Sequence, residues 1–120
     1  MMWWYYLKAR FGWMVGRQVT GYLKSRVFEF KKADCWVLKY PDGTYIPPHK
    51  DKVEDGYEMW RINLVLKKPK GGGVFTCEGG MNLWGRVMVF CASKNKHSVS
   101  RCVGTRYVLS IGFIKKEKGA

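Results

Sequence analysis

"RVMVFCASKNKHSVSRCVGTRYVLSIGFI", from Arg86 to Ile114, contains three β-rich runs: "RVMVFCA", "HSVSRCV" and "RYVLSIGFI". The polar turn "SKNK" separates the first two, and Gly104 with Thr105 separates the last two. Runs this short, rich in Val, Ile, Phe and Tyr and bounded by turn residues, read as strands. Working back towards the N-terminus, the same grammar repeats. "GYLKSRVFEF" and "DCWVLKY" are followed by the turn "PDG", then come "TYIPPH" and "YEMWRINLVL". The turn "KKPKGGG", the run "VFTCE" and the turn "GGMN" complete the series. The prolines of "TYIPPH" suit an edge or strand-entry position, because proline has no N–H to give to a ladder. About eight short strands with glycine and proline turns predict a sandwich or barrel and exclude a βαβ fold. The aromatic start "MMWWYYLKARFGW" is expected to form a short helix, and no internal repeat or linker is evident. The fold class is therefore all-β, with one short N-terminal helix.

A chain of 120 residues with 47% hydrophobic and 16% aromatic content can pack one core. Disorder is expected only at the tail "KKEKGA". Cys35, Cys77, Cys91 and Cys102 show no C-x-x-C spacing, so they read as reduced, partly buried thiols of a cytoplasmic protein. Lys8 and Arg10 break the apolar start, which lacks the pattern of a signal peptide. The longest run without a charged residue is eight, Tyr107 to Ile114, too short to span a bilayer, so no membrane is expected. The net charge of +13 admits a phosphate-bearing partner. It also fits lysines that solvate loops, as in "KKPK", and no helix-turn-helix, zinc-finger or RNP-like signature accompanies it.

The chain has two histidines, and the first lies in "YIPPHKDKVEDG", Tyr45 to Gly56. In an extended strand, residues i and i+2 point to one face, so His49 and Asp51 stand side by side. That pair is half of a metal site, half of an acid–base pair, or a surface coincidence. His97 opens the penultimate strand, 46 residues after Asp51, and Arg106 opens the last strand nine residues later. Two histidines and a carboxylate are the facial triad of non-haem Fe(II) oxygenases, which leaves coordination positions open for O2 and a co-substrate. An arginine nearby is what a dicarboxylate such as 2-oxoglutarate needs, since a guanidinium fork pairs a carboxylate bidentately.

From about Gly16 to Ile114 the chain resembles the 2-oxoglutarate/Fe(II)-dependent dioxygenases, on the prolyl-hydroxylase-like side of that superfamily. "YPDGTYIPPHKD" is similar to the strand that carries the family's H-x-D motif, and "RINLVL…GGGVF" to the next strand and glycine-rich turn. "GRVMVF…KHSVSRCVGTRYVLSIGF" resembles the distal histidine, spacer and co-substrate arginine. The resemblance implies a double-stranded β-helix (jelly roll), with one domain over 1–120. Within it, 1–30 would hold the helix and a supporting strand, 31–114 the β-helix core, and 115–120 a basic tail. It implies that His49, Asp51 and His97 ligate Fe(II) and that Arg106 holds the distal carboxylate of 2-oxoglutarate. O2 is the other co-substrate and ascorbate a reductant.

Tyr40 ends the strand where the family often places a tyrosine that reaches the same carboxylate, and it reads equally as a core or rim aromatic. Arg61 and Asn63 alternate onto one face of "WRINLVL" together with Val65, and resemble the R-x-H of the aspartyl/asparaginyl hydroxylase branch with Asn replacing His. Asn63 is expected to line the co-substrate pocket, while Arg61 also reads as a solvated surface arginine. Many relatives have Arg-x-Ser on the last strand. Here Val108 stands two residues after Arg106, and Ser110 is the next serine on that face.

The chain is short for the family, which implies an open site selected by few loops and a monomer or weak dimer. The expected reaction is hydroxylation of a C–H bond with succinate and CO2 as co-products. A peptidyl or amino-acid side chain is the first expectation for the substrate, because no nucleotide lid fits in so short a chain. A nucleic-acid-modifying dioxygenase and a catalytically silent basic jelly-roll module are the alternatives. The loops "KDKVEDG" and "EGGMNLWG", with Trp84 at its tip, are expected around the mouth, and Trp60 and Trp84 read as stacking groups or as plain core or rim. A Cys-His hydrolase built on Cys91 is set aside, since nothing around Cys91 supplies a nucleophile pattern.

Overall fold

The computed structural model describes residues 12–16 and 20–117. The strands are β1 (Met14–Val15), β2 (Leu23–Glu29), β3 (Ala33–Tyr40), β4 (Ile46–His49), β5 (Tyr57–Lys67) and β6 (Gly71–Gly72). They continue with β7 (Phe75–Cys77), β8 (Met81–Leu83), β9 (Val87–Cys91), β10 (His97–Val99), β11 (Cys102–Val103) and β12 (Arg106–Lys116). No helix occurs among the described residues, and none there is long and apolar enough to cross a membrane. The expected N-terminal helix, on residues 1–13, falls outside them except for Gly12 and Trp13, which are not helical.

A seven-stranded sheet runs β1-β2-β3-β12-β5-β9-β8, a three-stranded sheet β4-β10-β7, and a two-stranded sheet β11-β6. Every pairing is antiparallel. Tyr40, Val65, Met88, Phe90 and Val108 of the large sheet meet Ile46 and Val99 of the three-stranded sheet and Cys102 of β11 in one buried cluster. Burying side chains the size of Phe90 and Met88, 2% and 1% exposed, stabilises the fold by about 1.5–3 kcal/mol each. This is a double-stranded β-helix, or jelly roll. Strand periodicity determines which residues reach its interior. Along β12, Arg106, Val108, Ser110 and Gly112 are buried, while the residues between them are less so. By the same alternation β5 sends Arg61, Asn63 and Val65 inward, and β3 sends Asp34, Trp36, Leu38 and Tyr40.

Pro47 and Pro48 sit in β4, an edge strand of the three-stranded sheet, where missing N–H groups leave no ladder bond unmade. Two stretches differ from the sequence reading. "HSVSRCV" is two strands: after Val99 the chain leaves β4 and β7, and the Cys102 N–H then bonds the Thr44 carbonyl (2.8 Å) while β11 pairs with β6. "GGMN" is not the turn before β9. Met81–Leu83 form β8 against Val87–Val89, and the reversal comes at Trp84 and Gly85. Both residues have positive φ (53° and 68°), as a tight hairpin with right-handed strand twist requires.

Candidate metal centre and its cavity

The first two ligand candidates meet because of strand register. His97 is directly opposite His49 across β10 and β4, so both imidazoles stand on one face with ring centroids 4.4 Å apart. Asp51 lies just past the end of β4, held by its N–H bond to the Ala92 carbonyl (2.8 Å). Its Oδ1 lies 3.2 Å from His49 Nε2 and 3.8 Å from His97 Nε2. One ligand atom from each residue falls within 4.8 Å of the others, and this is the group of metal-ligand geometry found among the described residues.

The outer ring nitrogens are held as well. His49 Nδ1 donates to the Pro47 carbonyl and His97 Nδ1 to the Asn95 carbonyl, both at 2.8 Å. A carbonyl only accepts, so each Nδ1 carries a proton, and Nε2 is the ring atom that each histidine turns towards Asp51. Burial is the main influence on His97, pushing its pKa below the ordinary imidazole value. Phe90 packs on its ring at 4.8 Å. A neutral imidazole with a fixed lone pair is the ligand form of histidine. Two nitrogens and one carboxylate oxygen, converging from one side, suit a divalent transition metal with open positions.

The triad borders a cavity of about 470 Å³ between the sheets. Tyr40, Asn63, Arg61 and Ser110 line it, as does Asp34, a residue the sequence reading did not single out. Tyr40 is directly opposite Arg106 in the β3–β12 register, and the guanidinium stacks 4.7 Å from the ring centroid. Arg106 is only 2% exposed, forms no ion pair among the described residues, and its Nη1 is buried without a hydrogen-bond partner. Burial raises the Tyr40 phenol to about 12, against the opposing pull of Arg106, so the hydroxyl stays protonated and able to donate.

Arg61 is not a solvated surface residue. Its Nη2 donates to Asp34 Oδ1 (2.6 Å) and its Nε to Ser110 Oγ (2.8 Å), and Ser110 Oγ donates to Asn63 Oδ1 (2.6 Å). Three expected pocket residues thus form one chain of hydrogen bonds ending on an unexpected carboxylate. The parity of β3 held the missing signal: with Tyr40 facing inward, so does Asp34, six residues earlier. Gly112 makes the arrangement possible. It is paired with Asp34 on one side and Arg61 on the other, and a Cβ there would lie 2.7 Å from both Arg61 Cζ and Asp34 Oδ1. We expect Gly112→Ala to destabilise the protein by about 1–3 kcal/mol in urea unfolding, the usual cost of overpacking. In an Arg61→Ala background the same change should cost less, with only the Asp34 contact left to crowd the new methyl, and a double-mutant cycle reads the difference directly.

Trp60 and Trp84 lie away from this cavity. Trp60 faces outward between its inward neighbours Met59 and Arg61, with the Lys115 ammonium 5.5 Å from its ring centroid. Trp84, 87% exposed, caps the β8–β9 hairpin at the end of the large sheet opposite the mouth, not beside the mouth as the sequence suggested.

With this geometry in hand, the solved structures that the chain is similar to can be placed. They include a prolyl-4-hydroxylase from Pseudomonas putida (TM-score 0.66, 15% identity, covering 88% of this chain and 78% of that one). An oxidoreductase of the 2OG-Fe(II) oxygenase family from Burkholderia pseudomallei has TM-score 0.62 and 14% identity, covering 99% of this chain and 79% of that one. KdgF from a Halomonas species has TM-score 0.60 and 16% identity, covering 85% and 86%. Identities this low establish the shared fold and nothing finer. No protein-family model matches the sequence, and no curated protein matches it either.

Proposed function

We propose that the protein is an Fe(II)- and 2-oxoglutarate-dependent dioxygenase that hydroxylates a C–H bond and releases succinate and CO2. One observation carries the reading beyond a metal-binding jelly roll. A guanidinium 2% exposed, with an orphaned Nη1 and no carboxylate paired with it among the described residues, stacks on Tyr40, and Tyr40 lines the same cavity as the His49–Asp51–His97 group. Burying a charge without a partner costs several kcal/mol, so such an arginine is suited to a carboxylate arriving from outside. A dicarboxylate co-substrate meets both needs, with one end on the metal and the other on Arg106 and the Tyr40 hydroxyl.

His49, Asp51 and His97 would hold Fe(II), which supplies O2 activation coupled to oxidation of 2-oxoglutarate. The protein's own groups do the rest. Nδ1 anchors fix the imidazoles, Phe90 and Val99 exclude water from the deep end, and the Arg61–Ser110–Asn63 chain keeps the cavity wall polar. The substrate enters from the mouth, and the sequence offers a peptidyl or amino-acid side chain as its first candidate. The test is succinate formation from 2-oxoglutarate, read by mass spectrometry with Fe(II), O2 and ascorbate present. Turnover above the metal-free blank, including the slow uncoupled reaction, is expected. No succinate with any substrate pool would leave a silent binding module.

A further inference from the structure

The mouth of the cavity carries an unusual set of side chains. Lys31 and Lys32 form the two-residue loop of the β2–β3 hairpin, closed by the bond from the Phe30 N–H to the Ala33 carbonyl (2.7 Å). The Ile114 N–H bonds the Lys32 carbonyl (2.8 Å), which fixes this tip against the large sheet. Phe30 is 70% exposed, leans on Phe28 with ring centroids 5.4 Å apart, and lines the mouth with both lysines. Lys52, one residue past Asp51, is exposed on the mouth's other side.

Of the three acids that line the cavity, Glu29 pairs with Arg26 (3.1 Å), Asp34 with Arg61 (2.6 Å), and Asp51 faces the two histidines. Lys31, Lys32 and Lys52 form no ion pair among the described residues. Two adjacent cations beside a bare aromatic ring repel one another and leave apolar surface in water. A polymer with phosphates and flat bases resolves both, since phosphates neutralise lysines and a base stacks on the ring. An acidic peptide satisfies the lysines but not the ring. A duplex keeps its base faces hidden.

We propose that the mouth binds a single strand of nucleic acid, with Lys31, Lys32 and Lys52 on phosphates and Phe30 under a base. This rests on the oxygenase reading only for what happens to the strand afterwards. It makes a nucleotide, not a peptide side chain, the residue presented to the cavity. The hairpin tip takes the place of the nucleotide lid whose absence favoured a peptide.

The experiment measures fluorescence anisotropy of a labelled 12-nucleotide mixed-sequence DNA strand, without iron or 2-oxoglutarate, so binding is read independently of turnover. Reversing both tip charges (K31E/K32E) should weaken binding at least tenfold and lower the log–log salt slope by at least about 1.4, two phosphate contacts at about 0.7 each. Phe30→Ala should weaken it roughly tenfold with the slope unchanged. K67E/K68E, an equal charge change at the far end of β5, is the control and should cost under threefold. Thermal melts show that each variant folds. Equal losses at both ends would mean that the net charge alone binds the strand, and would overturn the proposal. So would displacement of the strand by a 12-residue glutamate-rich peptide at lower concentration than by unlabelled strand, which would assign the mouth to acidic peptides. Strand binding at the tip without succinate formation supports this mouth and sinks the oxygenase reading; succinate with peptides and no strand binding does the reverse.

Discussion

Replacing His97 or Asp51 with alanine should remove stoichiometric uptake of Mn(II) or anaerobic Fe(II), the largest single-residue effect expected in this protein. The wild-type chain should bind one ion in calorimetry, and each variant should weaken that by at least about a hundredfold. Losing an outer-shell partner alone costs roughly 10- to 100-fold, and a ligand is worth more. The structural reason is the narrow convergence of three donor atoms within 4.8 Å, with both Nδ1 atoms held by carbonyls. Asp51→Asn is the sharper variant, because it keeps the shape and removes the anion whose Oδ1 lies 3.2 and 3.8 Å from the two imidazoles. An acid–base pair without a metal makes the opposite forecast: the ion would bind equally weakly to wild type and variants. Uptake unchanged in the His49→Ala/His97→Ala double variant would remove the metal assignment.

Arg106→Met should sharply reduce stabilisation by 2-oxoglutarate while leaving the ligand-free protein as stable as the wild type or slightly more so. The signs differ because one buried group plays two parts. In the ligand-free fold its Nη1 is buried without a partner, an uncompensated cost that a methionine of similar bulk does not carry. With a carboxylate bound, the same group makes charge-assisted hydrogen bonds worth about 1.5–3 kcal/mol, so affinity should fall roughly ten- to a hundredfold. Arg106→Lys should recover only part of it, lacking the planar fork. The measurement is melting temperature against 2-oxoglutarate concentration in the presence of Mn(II), since a ligand bound only by the native state raises stability as RT ln(1 + [L]/Kd). A full ligand-dependent shift in the methionine variant would place the carboxylate elsewhere in the cavity. Arg61 would then be the next candidate, although its Nε and Nη2 donate to Ser110 and Asp34.

Much of this was determined by short-range chemistry that a sequence carries openly. Strand periodicity is local, so alternation alone could put Arg61 with Asn63 on one face of its strand and Arg106 with Ser110 on one face of theirs, and the prolines of β4 suited an edge or strand entry. The histidine–aspartate pair is likewise a two-residue matter. Other features depended on which strand pairs with which, a choice made by packing over the whole chain. The register of β10 against β4 sets His97 opposite His49, and only the crowding of β3, β12 and β5 over Gly112 brings Asp34 to Arg61. The same long-range pairing drew Met81 and Asn82 into β8 with its reversal at Trp84, and carried that tryptophan to the end away from the metal ligands. Periodicity says which face a side chain takes. Only the tertiary fold, by burying that face against distant strands, decides which neighbours it meets there.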